Sequence, residues 1–364
     1  MRPVTRPACL ITSVLSEYRE DPFRLLAEAE DVEVVTWRDP GPPVAGLRVH
    51  RTGQLGAVRL VASRRYRAVI CGLGGRIALP GAYLAARARG IPFVLWTAIW
   101  SHPRTPTHAL SYLPALHLYR NADAIVTYGS HVSAHVARYR NAGNIFEAPQ
   151  AVEVERFSQP VAEAERLAVR SSLATPEDGL LVLYVGRLVR EKGVEVLLEA
   201  WELAGLRPGA VLALTGDGPL REVVKRRGSR IRALGYLPRS KLRSLYAAAD
   251  VLVLPSIRTA GFAEPWGLVV NEAMLQGTPV LATDAVGAVA GGLVQDGRNG
   301  RVVRAGDPVS LAAGLRALAA SGDLRERLGA AAREDAARFT PHAWVEGMRQ
   351  ALAAVGASRD PVPG

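Results

Sequence analysis

Two glutamates eight residues apart, Glu264 and Glu272, lie on either side of a Pro265-Trp266-Gly267 turn in the stretch AEPWGLVVNEAMLQGTPVLATD (263–284). Leu268, Val269, Ala273, Met274 and Leu275 recur at the spacing of one helical face, which predicts a helix over 266–276 that Pro265 starts and Gly277 ends. Glu264 then stands in the approach loop, and Glu272 about a turn and a half inside the helix. The N–H groups at the helix start form an anion site. An anion flanked by carboxylates suits a ligand that carries both phosphates and hydroxyls. Two solvent-facing helix glutamates are the plain alternative, and the rest of the chain has to decide.

A second set of chemical groups occurs in LYVGRLVREKGVEVLLEA (183–200), where a strand runs into Gly186 and Arg187, and Lys192-Gly193 open a helix striped by Val194, Leu197 and Leu198. Arg187 and Lys192 are thus displayed at the carboxyl end of a strand, where α/β sheets bind ligands. Lys192 is one of only three lysines beside 42 arginines, which suits a compact point charge placed for a phosphate, with an ordinary surface lysine at a helix start as the equal alternative. LTGDGPL (214–220) adds a glycine-rich turn after a strand. Arg221 occupies the place of a third glycine, and no Gly-Lys-Ser/Thr P-loop occurs anywhere. LGYLPRSKLRSLYAAADVLVLPS (234–256) reads as a turn, a helix and a buried strand.

The elements that must position these groups alternate along the whole chain. Apolar strand-like runs are ACLITSVL, DVEVVTW, YRAVICG, IPFVLWTAI and ADAIVTYG in the first half, then LLVLYVG, AVLALTG, ADVLVLPS and TPVLATDA, each pair separated by helical segments. Continuous apolar strands between helices imply parallel sheets covered on both faces. At 364 residues, two domains are expected, with the proline-containing APQAVEVERFSQPVAEAE (148–165) as the link. The reading is an N-terminal domain over 1–160, a C-terminal domain over 161–338, and a helix and tail over 339–364 that return to the first domain. Both domains are Rossmann-like, doubly wound α/β units facing across a cleft.

Composition narrows the function classes. A hydrophobic content of 49% with 22% charged residues describes folded, soluble material, and no run reaches the roughly 20 apolar residues of a membrane span. A cytoplasmic protein is expected, with Cys9 and Cys71 as reduced, buried thiols. The net charge of +11 is spread out: residues 1–165 carry 19 basic against 14 acidic side chains, and the remainder 26 against 20. The densest basic stretch, 225–243, contains a single aromatic, Tyr236, which is too few for stacking bases of a single strand. Nucleic-acid binding is therefore disfavoured, and weak peripheral contact with acidic lipid stays open.

In order, VGRLVREKG, GDGPL, GYLP, LYAAADVLVLPS and EPWGLVVNEAMLQGTPVLAT resemble the family 4 glycosyltransferases, retaining nucleotide-sugar enzymes of the GT-B fold. The resemblance implies transfer of a hexose-type sugar from a UDP- or GDP-sugar to a hydroxyl acceptor, with no cofactor and no metal. It implies that Arg187 and Lys192 bind the donor diphosphate and that Glu272 holds the ribose. Glu264 would accept hydrogen bonds from the donor sugar, and Gly186, Pro265, Trp266, Gly267, Leu268 and Val269 complete the donor site. The base would lie near Gly235, Leu237 and on to Lys241. The two carboxylates would then grip the two sugars of one nucleotide-sugar, with the phosphates at the helix N-terminus between them.

No Asp-x-Asp pair occurs, in keeping with metal-independent chemistry. In the N-terminal half the resemblance thins. The first loop, TSVLSEYREDPF, lacks the family's glycines, so Ser16, Tyr18 and Arg19 are expected to shape acceptor or phosphate contacts differently. His102 is the candidate for the family's histidine at the reacting centre, with His108 as its rival. His131 and His135, four residues apart, are expected to serve surface or packing roles. A nucleotide-sugar epimerase or hydrolase of the same fold, and a non-catalytic nucleic-acid or membrane-binding protein, are the competing classes. Acceptor identity and oligomeric state are not written in these motifs.

Overall fold

A computed structural model describes residues 6–38, 41–63, 65–103, 105–140 and 143–359, without the side chains of residues 106–110. The chain divides into two compact units, one of Met1–Glu153 with Thr340–Gly364 and the other of Val154–Phe339.

The first unit is built on a parallel sheet of β1 (Ala8–Thr12), β2 (Val32–Thr36), β3 (Arg48–Arg51), β4 (Val69–Gly72), β5 (Phe93–Thr97), β6 (Ala124–Thr127) and β7 (Ile145–Glu147), in the order β3-β2-β1-β4-β5-β6-β7. The strand order reverses between β1 and β4. Residues of β1 alternate between two cores: Ala8 and Leu10 join Phe23, Trp96 and Trp344 on one face, while Cys9 and Ile11 join Tyr66, Phe93 and Tyr119 on the other. Burial of both faces is why the strand reads as a continuous apolar run. Cys9 and Cys71 are free, buried thiols, and burial pushes both up in pKa, Cys71 to about 12.

The helix Pro341–Ala354 belongs to this unit, because its apolar face completes one of the two cores. Trp344 stacks on Phe23 at 5.5 Å, and Arg349 Nε donates to the fully buried Glu30 at 3.1 Å.

In the second unit, β8 (Leu181–Val185), β9 (Val211–Thr215), β10 (Ile231–Gly235), β11 (Val251–Leu254), β12 (Val280–Thr283) and β13 (Gly300–Val303) pair in parallel in the order β10-β9-β8-β11-β12-β13. Here the order reverses between β8 and β11. Both sheets therefore have a switch point, the place where chain crossing opens a crevice at the carboxyl ends of the strands.

Every strand-like run of the sequence is a strand of one of these sheets. The strands that the sequence did not announce are β3, β7, β10 and β13, the outermost strands of the two sheets. Their residues are half-exposed, so they lack an apolar run and are defined by pairing alone. The segment read as a link is also more ordered than expected. The division falls after Glu153, within 148–165, and short helices follow at Val154–Ser158 and Glu163–Ser172, around the buried Phe157. A five-residue helix anchored by one aromatic leaves no readable period.

Candidate donor site

The residues of the candidate site come from the chain after β8, β10 and β11. The strand β8 ends at Val185, and the chain then passes Gly186 and Arg187 into a 3-10 turn, Arg190–Lys192. Gly193, with φ +70°, turns it into the helix Val194–Ala204, and a Cβ there would stand 1.8 Å from the Pro255 carbonyl oxygen. Only glycine lets this turn lie directly against the end of β11. That contact delivers Lys192 to the loop after β11. Its Nζ donates to Glu264 Oε2, which also accepts from Ser256 Oγ at 3.0 Å. Glu264 is itself held by a parallel bridge to Val286 and is 5% exposed. Lys192 Nζ lies 5.5 Å from the centre of the Phe262 ring.

The helix after this loop is Leu268–Leu275, shorter at its start than the sequence predicts. Pro265 does not start it. Gly267 is the N-cap, with φ +98°, while Trp266 turns inward, its Nε1 donating to Asn271 Oδ1 at 2.8 Å and its ring 5.5 Å from that of Phe339. The left-handed turn needs glycine, and a Cβ at Gly267 would collide with Leu254 Cδ2 at 2.5 Å. The N–H groups of Leu268 and Val269 open the helix, beyond the reach of an i−4 carbonyl.

Glu272 lies inside this helix but does not face solvent. Its Oε1 accepts from Arg239 Nε at 3.2 Å and Nη2 at 3.1 Å, and its Oε2 from Tyr246 Oη at 2.7 Å. Burial, reinforced by the Glu272 carboxylate, pushes the Tyr246 phenol well up, so it remains a donor at neutral pH. The Arg239 guanidinium also lies over the Phe157 ring at 5.1 Å. Both glutamates are therefore anchored carboxylates at buried positions, and the surface-helix alternative fails for each.

The structure thus joins Lys192 to Glu264, and seats Glu272 on the helix whose N-terminus follows Glu264. Arg187 is different: its side chain is exposed and pairs with Glu191 at 3.5 Å, while its carbonyl accepts from Tyr184 Oη at 2.7 Å. Gly235, with φ +70°, ends β10, and Leu237 lies half-buried on the turn beyond it. Sequence reasoning missed Ser256, Arg239 and Tyr246 as partners of the two glutamates. Tyr246 lies in a stretch that reads only as a helix, and Arg239 is one more arginine in a basic run; neither signal separates a buried donor from its neighbours.

In the first unit, Ser16 precedes the 3-10 turn Glu17–Arg19 without a side-chain capping hydrogen bond, and the Arg19 guanidinium lies 5.3 Å from the Tyr18 ring centre. His102 follows β5, half-buried, its ring 4.8 Å from that of Tyr112. The side chain of His108 lies outside the described residues. His131 packs edge-on against Trp100 at 5.3 Å. His135 is buried against Tyr119 and Tyr139, and burial, with Arg138 and His102 adding, holds its imidazole below the ordinary 6.5. The unfolded chain therefore takes up this proton first, so the contribution of neutral His135 to stability is complete above about pH 6.5 and is lost as pH falls below it. A His135→Phe variant should lose less thermal stability than the parent between pH 8 and pH 5.5, measured by circular dichroism melts.

Each unit is a doubly wound α/β sheet, and the second gathers a lysine, a helix N-terminus and two anchored carboxylates at its switch point. Residues 165–335 match the family model described as glycosyl transferases group 1. The chain carries that match over most of its second unit. It is 31% identical over 287 residues to a D-inositol 3-phosphate glycosyltransferase of Streptomyces scabiei, an alignment covering 71% of this chain and 61% of the relative. The chain spans about half the length of the curated relatives it matches, from 45% to 61% among the first three.

Solved structures share the fold across the whole chain. Anabaena HepE in complex with UDP-glucose superposes with a TM-score of 0.77 at 19% identity, covering 96% of this chain and 99% of that one. Sucrose-phosphate synthase from Thermosynechococcus elongatus gives a TM-score of 0.77 at 23% identity, covering 97% and 99%. Among the described residues no helix is long and apolar enough to cross a membrane.

Proposed function

We propose that this protein is a retaining glycosyltransferase that moves a hexose-type sugar from a nucleotide-diphosphate sugar to a hydroxyl acceptor without a metal. The observation that carries the reading is the arrangement at the second switch point: Lys192 meets the anchored Glu264, and the helix Leu268–Leu275 that follows carries the second anchored carboxylate, Glu272. Relatives named as glycosyltransferases and a neighbour crystallised with UDP-glucose support it. In this reading Glu272 takes the ribose and Glu264 the donor sugar. Lys192, Arg187 and the helix N-terminus take the diphosphate.

Chemistry follows from that layout. The bond from the anomeric carbon to the diphosphate oxygen breaks, and its electron pair leaves as charge on the phosphate. Lys192, Arg187 and the helix dipole stabilise that charge as it forms. The acceptor oxygen forms the new bond from the same face, and its proton passes to the departing phosphate oxygen. Placement in the cytoplasm belongs to the same reading, supported by two buried, reduced thiols.

A thermal-shift panel of UDP, GDP, ADP and TDP with their sugars tests the donor, because a ligand that binds only the folded state raises its stability by mass action. One nucleoside diphosphate should raise the melting temperature in a concentration-dependent way, and no response from any of them would sink the proposal. Transfer measured with and without EDTA should be equal. Activity that disappears on chelation and returns with Mg²⁺ or Mn²⁺ would contradict the assignment of charge stabilisation to Lys192, Arg187 and the helix.

A further inference from the structure

The two oxygens of the Glu272 carboxylate are engaged unequally. Oε1 accepts from Nε and Nη2 of the same guanidinium, that of Arg239, at 3.2 and 3.1 Å, whereas Oε2 accepts from Tyr246 Oη at 2.7 Å. An ionised carboxylate has about four acceptor positions, two on each oxygen. Arg239 therefore fills Oε1, Tyr246 takes one position on Oε2, and at most one position is left for a ligand.

Neither donor is placed to let go. Arg239 opens the helix Arg239–Ala248, and Tyr246 lies seven residues, or about two turns, further along it, so both face the helix that carries Glu272. The side chains of Arg239 and Glu272 are 12% and 6% exposed, and Tyr246 is fully buried. Phe157, also fully buried, backs both donors: its ring lies 5.1 Å from the Arg239 guanidinium and 6.3 Å from the Tyr246 ring. The Phe157 carbonyl in turn accepts from Nε2 of Gln276, the residue that caps the helix Leu268–Leu275. Drawing Arg239 away would separate two charges that are shielded from water, which is strongly unfavourable.

We infer that Glu272 reads one hydroxyl of the donor ribose and not two, and that Arg239 is the specificity-determining residue that imposes this limit. The inference rests on the proposal that Glu272 holds the ribose. Arg239 acts through the carboxylate: it holds Oε1 out of the ligand's reach and fixes the direction of the position left on Oε2. A site built this way rejects a nucleotide that lacks the hydroxyl it reads and tolerates the loss of the other, because only the first leaves a charged acceptor unmet.

The test is calorimetry on the full chain with UDP and GDP, each beside its 2′-deoxy and 3′-deoxy forms. For the nucleotide that binds, one deoxy form should be weaker by about ten-fold or more, and the other by less than about three-fold. The two arms say which hydroxyl is read. Arg239→Lys keeps the cation but replaces two N–H groups in a fixed fork by one rotatable ammonium, which opens a position on Oε1. In that variant both deoxy forms should bind more weakly than the parent nucleotide, a change of pattern that a merely structural role for Arg239 would not produce. Thermal melts report folding, and Arg239→Gln, with a single amide donor and the same expected pattern, replaces a lysine variant that does not fold. Equal penalties for the two deoxy forms in the wild-type protein, or an unchanged pattern in the folded variant, overturn the inference alone. A protein that binds neither nucleotide overturns the donor reading and this inference with it.

Discussion

Replacing Lys192 by alanine is expected to weaken binding of the nucleoside diphosphate by roughly 30- to 150-fold, the equivalent of about 2–3 kcal/mol for a charge-assisted contact to a shielded phosphate. Transfer should fall at least as far, since the departing diphosphate gains charge in the transition state. The structure adds a second effect. Lys192 donates to Glu264, whose side chain is nearly buried, so the alanine variant takes the cation from a buried carboxylate. Removing one partner of such a pair destabilises the fold, on the order of 3–5 kcal/mol where burial is complete. A double variant separates the two consequences. Lys192→Ala with Glu264→Gln removes the orphaned charge and should recover much of the lost melting temperature, yet diphosphate affinity should stay low. Calorimetry and thermal melts on the parent, both single variants and the double variant decide it. Recovery of diphosphate binding in the double variant would show that Lys192 acts only by neutralising Glu264.

The second large effect concerns the two glutamates, which the proposal assigns to different sugars of one ligand. Glu264→Gln should bind the free diphosphate at least as tightly as the parent, because it removes the carboxylate that Lys192 meets in this structure and leaves that cation to the phosphate. Transfer should nevertheless fall about 10- to 100-fold, the loss of a charged hydrogen bond to the donor sugar. Glu272→Gln should behave in the opposite sense. Its carboxylate is gripped by Arg239 and Tyr246, and the neutral amide weakens that anchor and the ribose contact together, so affinity for the free diphosphate falls. Titration of each variant with diphosphate and with the intact donor, beside initial rates, resolves the pair. Equal loss of diphosphate affinity in both variants would end the division of labour, and normal turnover in both would return the glutamates to a structural role.

Much of this architecture was legible because central strands of a parallel sheet are buried on both faces and must be apolar throughout. That pattern marked the interior strands of both units, and their alternation with helices marked the class of fold. The turns at Gly193 and Gly267 were also legible as breaks, since a left-handed φ restricts the residue type. The motif order from Gly186 to Glu272 carried the resemblance to glycosyltransferases.

What the chain's linear pattern did not contain was everything decided by one element meeting another. The outer strands β3, β7, β10 and β13 are strands only because a neighbour offers its backbone, and their half-exposed side chains leave no trace of it. Pro265 looked like a helix start, but Trp266 is drawn inward to Asn271 and the helix begins at Gly267 instead. Lys192 and Glu264 are 72 residues apart, and Arg239 and Glu272 are 33 apart, distances over which no periodicity connects two charges. Arg19 shows the same division most plainly. Its identity was visible among 42 arginines, whereas its contacts with Thr12, Tyr128 and the Trp96 ring are a property of the folded switch point, because the surroundings of a charge depend on which side chains the sheet brings near it.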